Sequence, residues 1–276
     1  MLLTDCLEGL EADLATNRNV CRLGLSDQNF MPTNLLFNGR AVLHDFVDFK
    51  TRRIWERSEF DISVIVSDVS AFQSGLVRGF LHRPHQARGD ALVLTHGAGG
   101  NCRSGLLTAV ADVFCAAGTL VLRMDLPFRQ RRPFGPPLPV GAATDRDALR
   151  EAVEAIRADA SRVFLGGHSY GGRQATILAA EQHHVADGLL LLSYPLHPPK
   201  KPNDLRTAHF PNLRSSCLFV HGTNDPFGSV EELRNSICAI AGRVRLMPIE
   251  KAGHDLCGGK FDIQRLVLTP FRETVG

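Results

Sequence analysis

Long apolar runs are missing from this 276-residue chain: no segment approaches the ~18 uninterrupted apolar residues a bilayer-spanning helix needs. The first residues, Met1 to Glu8, carry neither the basic start nor the apolar stretch of a secretory signal. Charge of one sign is missing too. Thirty-one Lys and Arg against 29 Asp and Glu leave a net +2, too little for bulk attraction to nucleic acid. The seven cysteines, at positions 6, 21, 102, 115, 217, 238 and 257, are scattered, odd in number and never spaced Cys-x-x-Cys. They suit reduced thiols in a cytoplasmic compartment better than a disulfide framework. No cluster of His, Cys and carboxylates has metal-ligand spacing. His82 and His85 have Pro84 between them and cannot share a helix face. Internal repeats and low-complexity tracts are also lacking. These absences predict a soluble protein with no metal, no cofactor, no membrane and no nucleic acid to bind.

What the chain does contain is Val163-Phe164-Leu165-Gly166-Gly167-His168-Ser169-Tyr170-Gly171-Gly172, an apolar run ending in Gly-x-Ser-x-Gly. That pattern describes a nucleophile elbow, where a buried strand turns sharply into a helix and exposes a serine hydroxyl at the tip. Gly167 and Gly171 flank Ser169 because side chains there would collide as strand and helix close. A purely structural strand–turn–helix is the alternative. The flanks agree with the elbow: Arg162 to Gly166 reads as a strand and Arg173 to Glu181 as a helix.

Strands and helices alternate from about residue 61. Strands are predicted over 74–81, 91–95, 119–124, 188–193, 217–220 and 244–249, with Pro248 marking a sheet edge. Helices are predicted over 104–117, from a Thr144-x-x-Asp147 capping box through Ile156, from a Ser229-x-x-Glu232 capping box through Ile240, and over 260–271. A proline- and arginine-rich loop runs from Pro127 to Val140. Such β–α units give an α/β fold, a mostly parallel doubly wound sheet with helices on both faces. Residues 1–60 do not follow this rhythm. They mix an acidic amphipathic stretch, Leu7 to Leu14, with polar runs, and read as a loosely attached extension ahead of a domain spanning 61–276. Met31 is an alternative start.

A serine hydroxyl needs a base, an orienting acid and donors for the developing oxyanion. The acid candidate is Asp225, directly after the strand 217–220, where ligand sites of α/β sheets lie. Its bland alternative is a turn aspartate before Pro226. The base candidate is His254, the only one of eleven histidines that follows the last strand. His168 should point away from Ser169 and reads as packing or a loop contact. The oxyanion donors are expected to be the backbone amides of Tyr170 and, from the Gly97–Gly100 turn, Ala98. That turn lacks the Lys-Ser/Thr ending of a phosphate loop and the spacing of a dinucleotide site.

With these residues placed, residues 74–273 resemble the α/β-hydrolase superfamily. Thr95–Asn101, Asp125–Gln130, Gly166–Arg173, Tyr194–Pro199 and Gly222–Gly228 carry a narrower resemblance. It is to the small dienelactone-hydrolase-related branch that includes testis-expressed hydrolase-like proteins and a non-enzymatic subunit of a histone acetyltransferase complex. The resemblance implies an eight-stranded type of sheet and a Ser169–Asp225–His254 triad. Dienelactone hydrolases proper use cysteine, and Ser169 stands there instead. Many relatives insert a helical cap after the strand that follows the elbow helix. Here Tyr194 to Ser216 is too short and too rich in proline, so no cap and an open site are expected, rimmed by Pro127–Pro139. Arg129, Arg131 and Arg132 on that rim could attract an anion, though a solvated charged loop explains them better. Cys102, near the oxyanion turn, could confer thiol sensitivity, with a buried cysteine the plainer reading. The function expected is a serine hydrolase cleaving a small-molecule carboxylic ester or thioester through an acyl-enzyme. The alternatives are a catalytically silent scaffold that binds protein partners, and a lyase or haloperoxidase-like reaction on the same residues.

Overall fold

The structure is a computed structural model that describes the strands within residues 34–60 and every residue from 68 to 276. The chain divides into two compact units, 1–66 and 67–276. In the first, β1 (Asn34–Phe37), β2 (Ala41–His44) and β5 (Ser58–Phe60) form an antiparallel sheet, and β3 (Phe46–Asp48) pairs with β4 (Arg53–Trp55). The amphipathic stretch at 7–14, Met31, Cys6 and Cys21 lie outside the described residues.

The second unit is built on an eight-stranded sheet. Its strands are β6 (Asp68–Ser74), β7 (Val77–Arg83), β8 (Asp90–Thr95), β9 (Leu120–Asp125), β10 (Arg162–His168), β11 (Leu189–Leu192), β12 (Cys217–Gly222) and β13 (Val244–Ile249). The order is β13-β12-β11-β10-β8-β9-β7-β6. Every pair from β9 to β13 is parallel, and only β7 with its neighbours β6 and β9 runs antiparallel. Pro248 sits on the edge strand β13, as predicted, where a missing N–H costs the ladder nothing.

The central strands are apolar throughout because both of their faces are covered. Along β8, Ala91 and Val93 pack on one face while Leu92 and Leu94 pack on the other. The same alternation divides Leu189 and Leu191 from Leu190 and Leu192 on β11. One face carries α3 (Ala142–Arg157), α4 (Tyr170–Glu181) and α5 (Val230–Ile237). The other carries α1 (Gly105–Ala116) and α6 (Thr269–Val275). A short helix, α2 (Pro127–Arg131), opens the proline-rich loop. Among the described residues no helix is long and apolar enough to cross a membrane.

Three local expectations need correction. The strand predicted over 74–81 is a hairpin, since Gly75 at φ +51° turns the chain and Ser74 pairs with Val77. Thr144 and Asp147 form no capping box. A Pro139–Gly141 turn leads directly into α3, which begins at Ala142 and leaves both inside the helix. The C-terminal helix starts later than 260, as a π-helical turn at Gln264–Leu268 running into α6, whose Pro270 has no N–H to continue the ladder. The second capping box is present: Ser229 Oγ accepts from the Glu232 N–H, and Glu232 returns a bond to the Ser229 N–H.

Candidate active site

Ser169 stands between β10 and α4 with φ +52° and ψ −114°, a conformation that a serine adopts only under constraint. Its N–H donates to Leu192 O at 2.8 Å, and the Arg173 N–H donates to its carbonyl at 2.9 Å. The flanking glycines explain the tightness. A Cβ on Gly167 would lie 2.8 Å from the backbone of Gly171 and Gly172. One on Gly171 would lie 2.7 Å from His96 O. Strand, helix and the end of β8 therefore meet at the serine with no room for side chains.

Asp225 follows β12 in a turn closed by its own N–H on Gly222 O at 3.2 Å. Its side chain is wholly buried. Oδ1 accepts from the Phe227 N–H at 2.9 Å, and Oδ2 accepts from His254 Nδ1 at 2.8 Å. His221, near the end of β12, donates from Nε2 to Gly228 O at 2.8 Å and stands 3.9 Å from Asp225 Oδ2. His254 comes from the turn after β13, and its Nε2 lies 2.7 Å from Ser169 Oγ. With the carboxylate at Nδ1, the imidazole carries its proton there and offers Nε2 to the serine hydroxyl. The fold thus brings together three residues that are 29 and 85 positions apart along the chain.

The imidazole is held from two further sides. Phe227 lies against it with ring centroids 4.2 Å apart. His168 donates from Nε2 to the His254 carbonyl at 2.7 Å. The sequence allowed His168 a loop contact, and the loop is the one that carries His254. Burial pulls the His168 pKa down to about 4, so its ring is neutral and adds no charge beside His254.

Ala98 and Tyr170 both line the cleft that opens on Ser169. Tyr170 is the first residue of α4, so its N–H has no partner within the helix. Its hydroxyl donates to Asp145 at 2.8 Å, and Asp145 also accepts from the Phe128 N–H at 3.2 Å. Burial raises the Asp145 pKa, and burial together with this hydrogen bond raises that of the Tyr170 phenol. The Ala98 turn is tied down by Arg129, whose guanidinium donates to Ala98 O at 2.6 Å, Pro133 O at 2.6 Å and Gly135 O at 3.1 Å. Arg129 is 6% exposed, so the solvated-loop reading fails for it. Its charge is spent on carbonyls that shape the rim. Cys102 is buried beneath the same turn, with its thiol pushed up to about 12, mainly by burial, and is no reactive thiol.

The cleft holds about 770 Å3 and is walled mainly by apolar groups, among them Leu106, Leu138, Pro195 and Phe227. Pro136–Pro139 form part of its rim, as expected. Residues 193–216, between β11 and β12, hold a single short helical turn at Phe210–Asn212 and no cap. Among the described residues no group of three or more His, Cys and carboxylate side chains is gathered to hold a metal. Sequence reasoning missed Phe227, Arg173 and Arg206 as cleft residues. Only Arg173 left a signal, one helical turn after Ser169.

A family model described as an alpha/beta hydrolase domain matches residues 88–262. Among solved structures, a dienelactone hydrolase from Anabaena variabilis is 20% identical over 76% of this chain and 95% of its own, with a TM-score of 0.57. An α/β serine hydrolase without a lid from Xanthomonas campestris is 15% identical over 75% and 94%, with a TM-score of 0.59. An esterase from Pyrococcus furiosus is 12% identical over 79% and 97%, with a TM-score of 0.61. These likenesses establish a shared fold, and with the match over 88–262 the chain belongs to the alpha/beta-hydrolase family.

Proposed function

We propose that the chain is a serine hydrolase that cleaves a carboxylic ester or thioester of a small molecule through an acyl-enzyme. The observation that carries this is the run of contacts from Asp225 Oδ2 through His254 to Ser169 Oγ, at 2.8 and 2.7 Å, at the floor of an open cleft. Ser169 Oγ attacks the carbonyl carbon while its proton passes to His254 Nε2. Asp225 keeps the imidazole in the tautomer able to accept and steadies the imidazolium. The amides of Tyr170 and Ala98 receive the oxyanion. As the C–O or C–S bond breaks, His254 gives its proton to the leaving oxygen or sulfur. A water then repeats the sequence on the acyl-serine and releases the acid. The chemistry belongs to residues 61–276, with 1–60 as an extension, and the working compartment is the cytoplasm.

Labelling by a fluorophosphonate probe tests this directly. Wild type should label, and Ser169→Ala and His254→Ala should not. A folded wild type that fails to label would sink the acyl-transfer reading and favour a silent scaffold.

A further inference from the structure

Two arginines in the cleft have no task in the acyl-transfer steps. Arg173 stands one turn into α4, four residues beyond the nucleophile. Arg206 belongs to the β11–β12 connection, where its N–H donates to Leu196 O at 2.8 Å and its carbonyl accepts the Tyr194 hydroxyl at 2.7 Å. Both line the cleft that opens on Ser169 and His254.

The other buried or half-buried arginines near the sheet are engaged. Arg123 bonds His82 and Thr108, Arg129 bonds carbonyls, and Arg162 pairs with Asp90. Among the described residues, neither the Arg173 nor the Arg206 guanidinium pairs with a carboxylate, and the buried Nε of Arg173 has no acceptor at all. Gln174 adds a third donor. It is fully buried, lines the same cleft, and its amide nitrogen is also without an acceptor.

Unpaired cations that share a half-buried cleft repel each other, and each gives up hydration. The Arg206 pKa is lowered by burial first and by the Arg173 charge second. Besides Asp225 on His254 and Asp145 on the Tyr170 hydroxyl, both buried, two exposed carboxylates lie nearby. Asp204 is exposed and draws on Arg206 from solvent. Asp255 lines the cleft, is exposed, and spends Oδ1 on the Cys257 N–H at 3.1 Å. The remaining titratable groups of the lining are His96 and His168, neutral through burial, together with His254 and the Tyr170 phenol. The positive end of α4 adds to the field. An anion is the ligand that would complete this arrangement, because planar guanidinium forks match carboxylate and phosphate oxygens.

We infer that Arg173 and Arg206, with the Gln174 amide, form an anion subsite beside Ser169, and that the substrate is an ester or thioester bearing a carboxylate or phosphate with an otherwise apolar body. This rests on the acyl-transfer reading for the identity of the reacting bond. The apolar walls of Leu106, Leu138 and Phe227 take the rest of the molecule.

Binding to Ser169→Ala protein separates the subsite from turnover. The probes are three 4-nitrophenyl esters of one chain length, ending in a carboxylate, a phosphate monoester or a neutral methyl ester, measured by titration calorimetry. One anionic ester should bind at least about tenfold more tightly than the neutral one. Which anion wins identifies the chemistry. Adding Arg173→Gln or Arg206→Gln should reduce that ratio at least about fivefold, and Arg206→Lys should restore part of it. Melting curves check that each variant is folded, and the Arg206 variants suffice if Arg173→Gln is not. Equal binding of the three esters, no binding of any, or a preference untouched by the arginine changes would overturn the subsite. Wild-type labelling by fluorophosphonate reports on the acyl-transfer reading separately, so each can fail without the other.

Discussion

Two histidine–aspartate pairs sit at the carboxyl end of this sheet, each joining the ends of neighbouring parallel strands. His96 follows β8 and Asp125 ends β9, while Asp225 follows β12 and His254 follows β13. Only one pair is set up for proton transfer. Both ring nitrogens of His96 are taken by the main chain: Nδ1 donates to Gly97 O at 2.8 Å, and Nε2 accepts from the Leu126 N–H at 3.1 Å. Asp125 stands 3.5 Å from that Nε2 and spends its Oδ1 on the Cys102 N–H at 2.7 Å. The His96 side chain is 1% exposed and its pKa is lowered by burial, so it serves as a neutral brace. The His254 side chain is 21% exposed, with a carboxylate on one nitrogen and a hydroxyl on the other. A carboxylate near an imidazole is therefore not enough. The second nitrogen must face a group that has a proton to give, in a cleft that substrate can reach.

The largest expected effect that would break this contrast lies at the exposed pair. Asp225→Asn should lower ester turnover about 10⁴-fold, through the wrong imidazole tautomer, while the melting temperature changes far less. A kinetic assay showing less than tenfold loss would remove the distinction. His96→Ala should do the reverse. It leaves the Leu126 N–H and Gly97 carbonyl without their partner, costing about 1–3 kcal/mol. For a domain of this size that means roughly 2–4 °C of melting temperature per kcal/mol. Fluorophosphonate labelling should persist, and its loss in a folded His96→Ala protein would show that the brace is chemical after all.

Acid should act on the neutral histidines. His168 and His209 titrate near 4 in the folded chain, mainly through burial, against about 6.5 when unfolded. Their folded pKa values are depressed, so the unfolded state takes up protons first as pH falls. The stability they support is complete above about 6.5 and is lost progressively on going down toward 4. Denaturant midpoints should fall across that window. A His209→Gln variant should show a shallower fall, and an identical slope would count against the assignment. The smallest effect belongs to the second capping box, far from either pair. Ser229→Ala should cost about 1 kcal/mol in a melting experiment and leave labelling untouched.

What was legible in the sequence was local. The buried strands read as apolar runs because both faces of the sheet are covered, and the elbow read as an elbow from its Gly-x-Ser-x-Gly pattern, although the crowding at Gly171 comes from the end of β8. The hairpin at 68–83 escaped because β6 is mostly exposed and offers no apolar alternation. The false capping box at Thr144 shows the limit of a four-residue pattern, since the turn at Pro139–Gly141 had already started the helix. The same limit governs the charges. Arg129 in the proline-rich loop looked solvated and is buried on carbonyls, while Arg206 gave no local sign of entering the cleft.

The sequence by itself determined the order of strands and helices, the sharp turn at Ser169 and the two places, after β12 and β13, where an acid and a base could stand. Only the tertiary structure decided that the His254 imidazole comes within hydrogen-bond reach of both Asp225 and Ser169, that His168 holds its carbonyl, and which arginines are left without a carboxylate. Periodicity and turn chemistry act over a few residues. The geometry of a proton path or an unpaired charge is set by contacts between residues as far apart as Ser169 and His254, which exist only once the sheet has assembled.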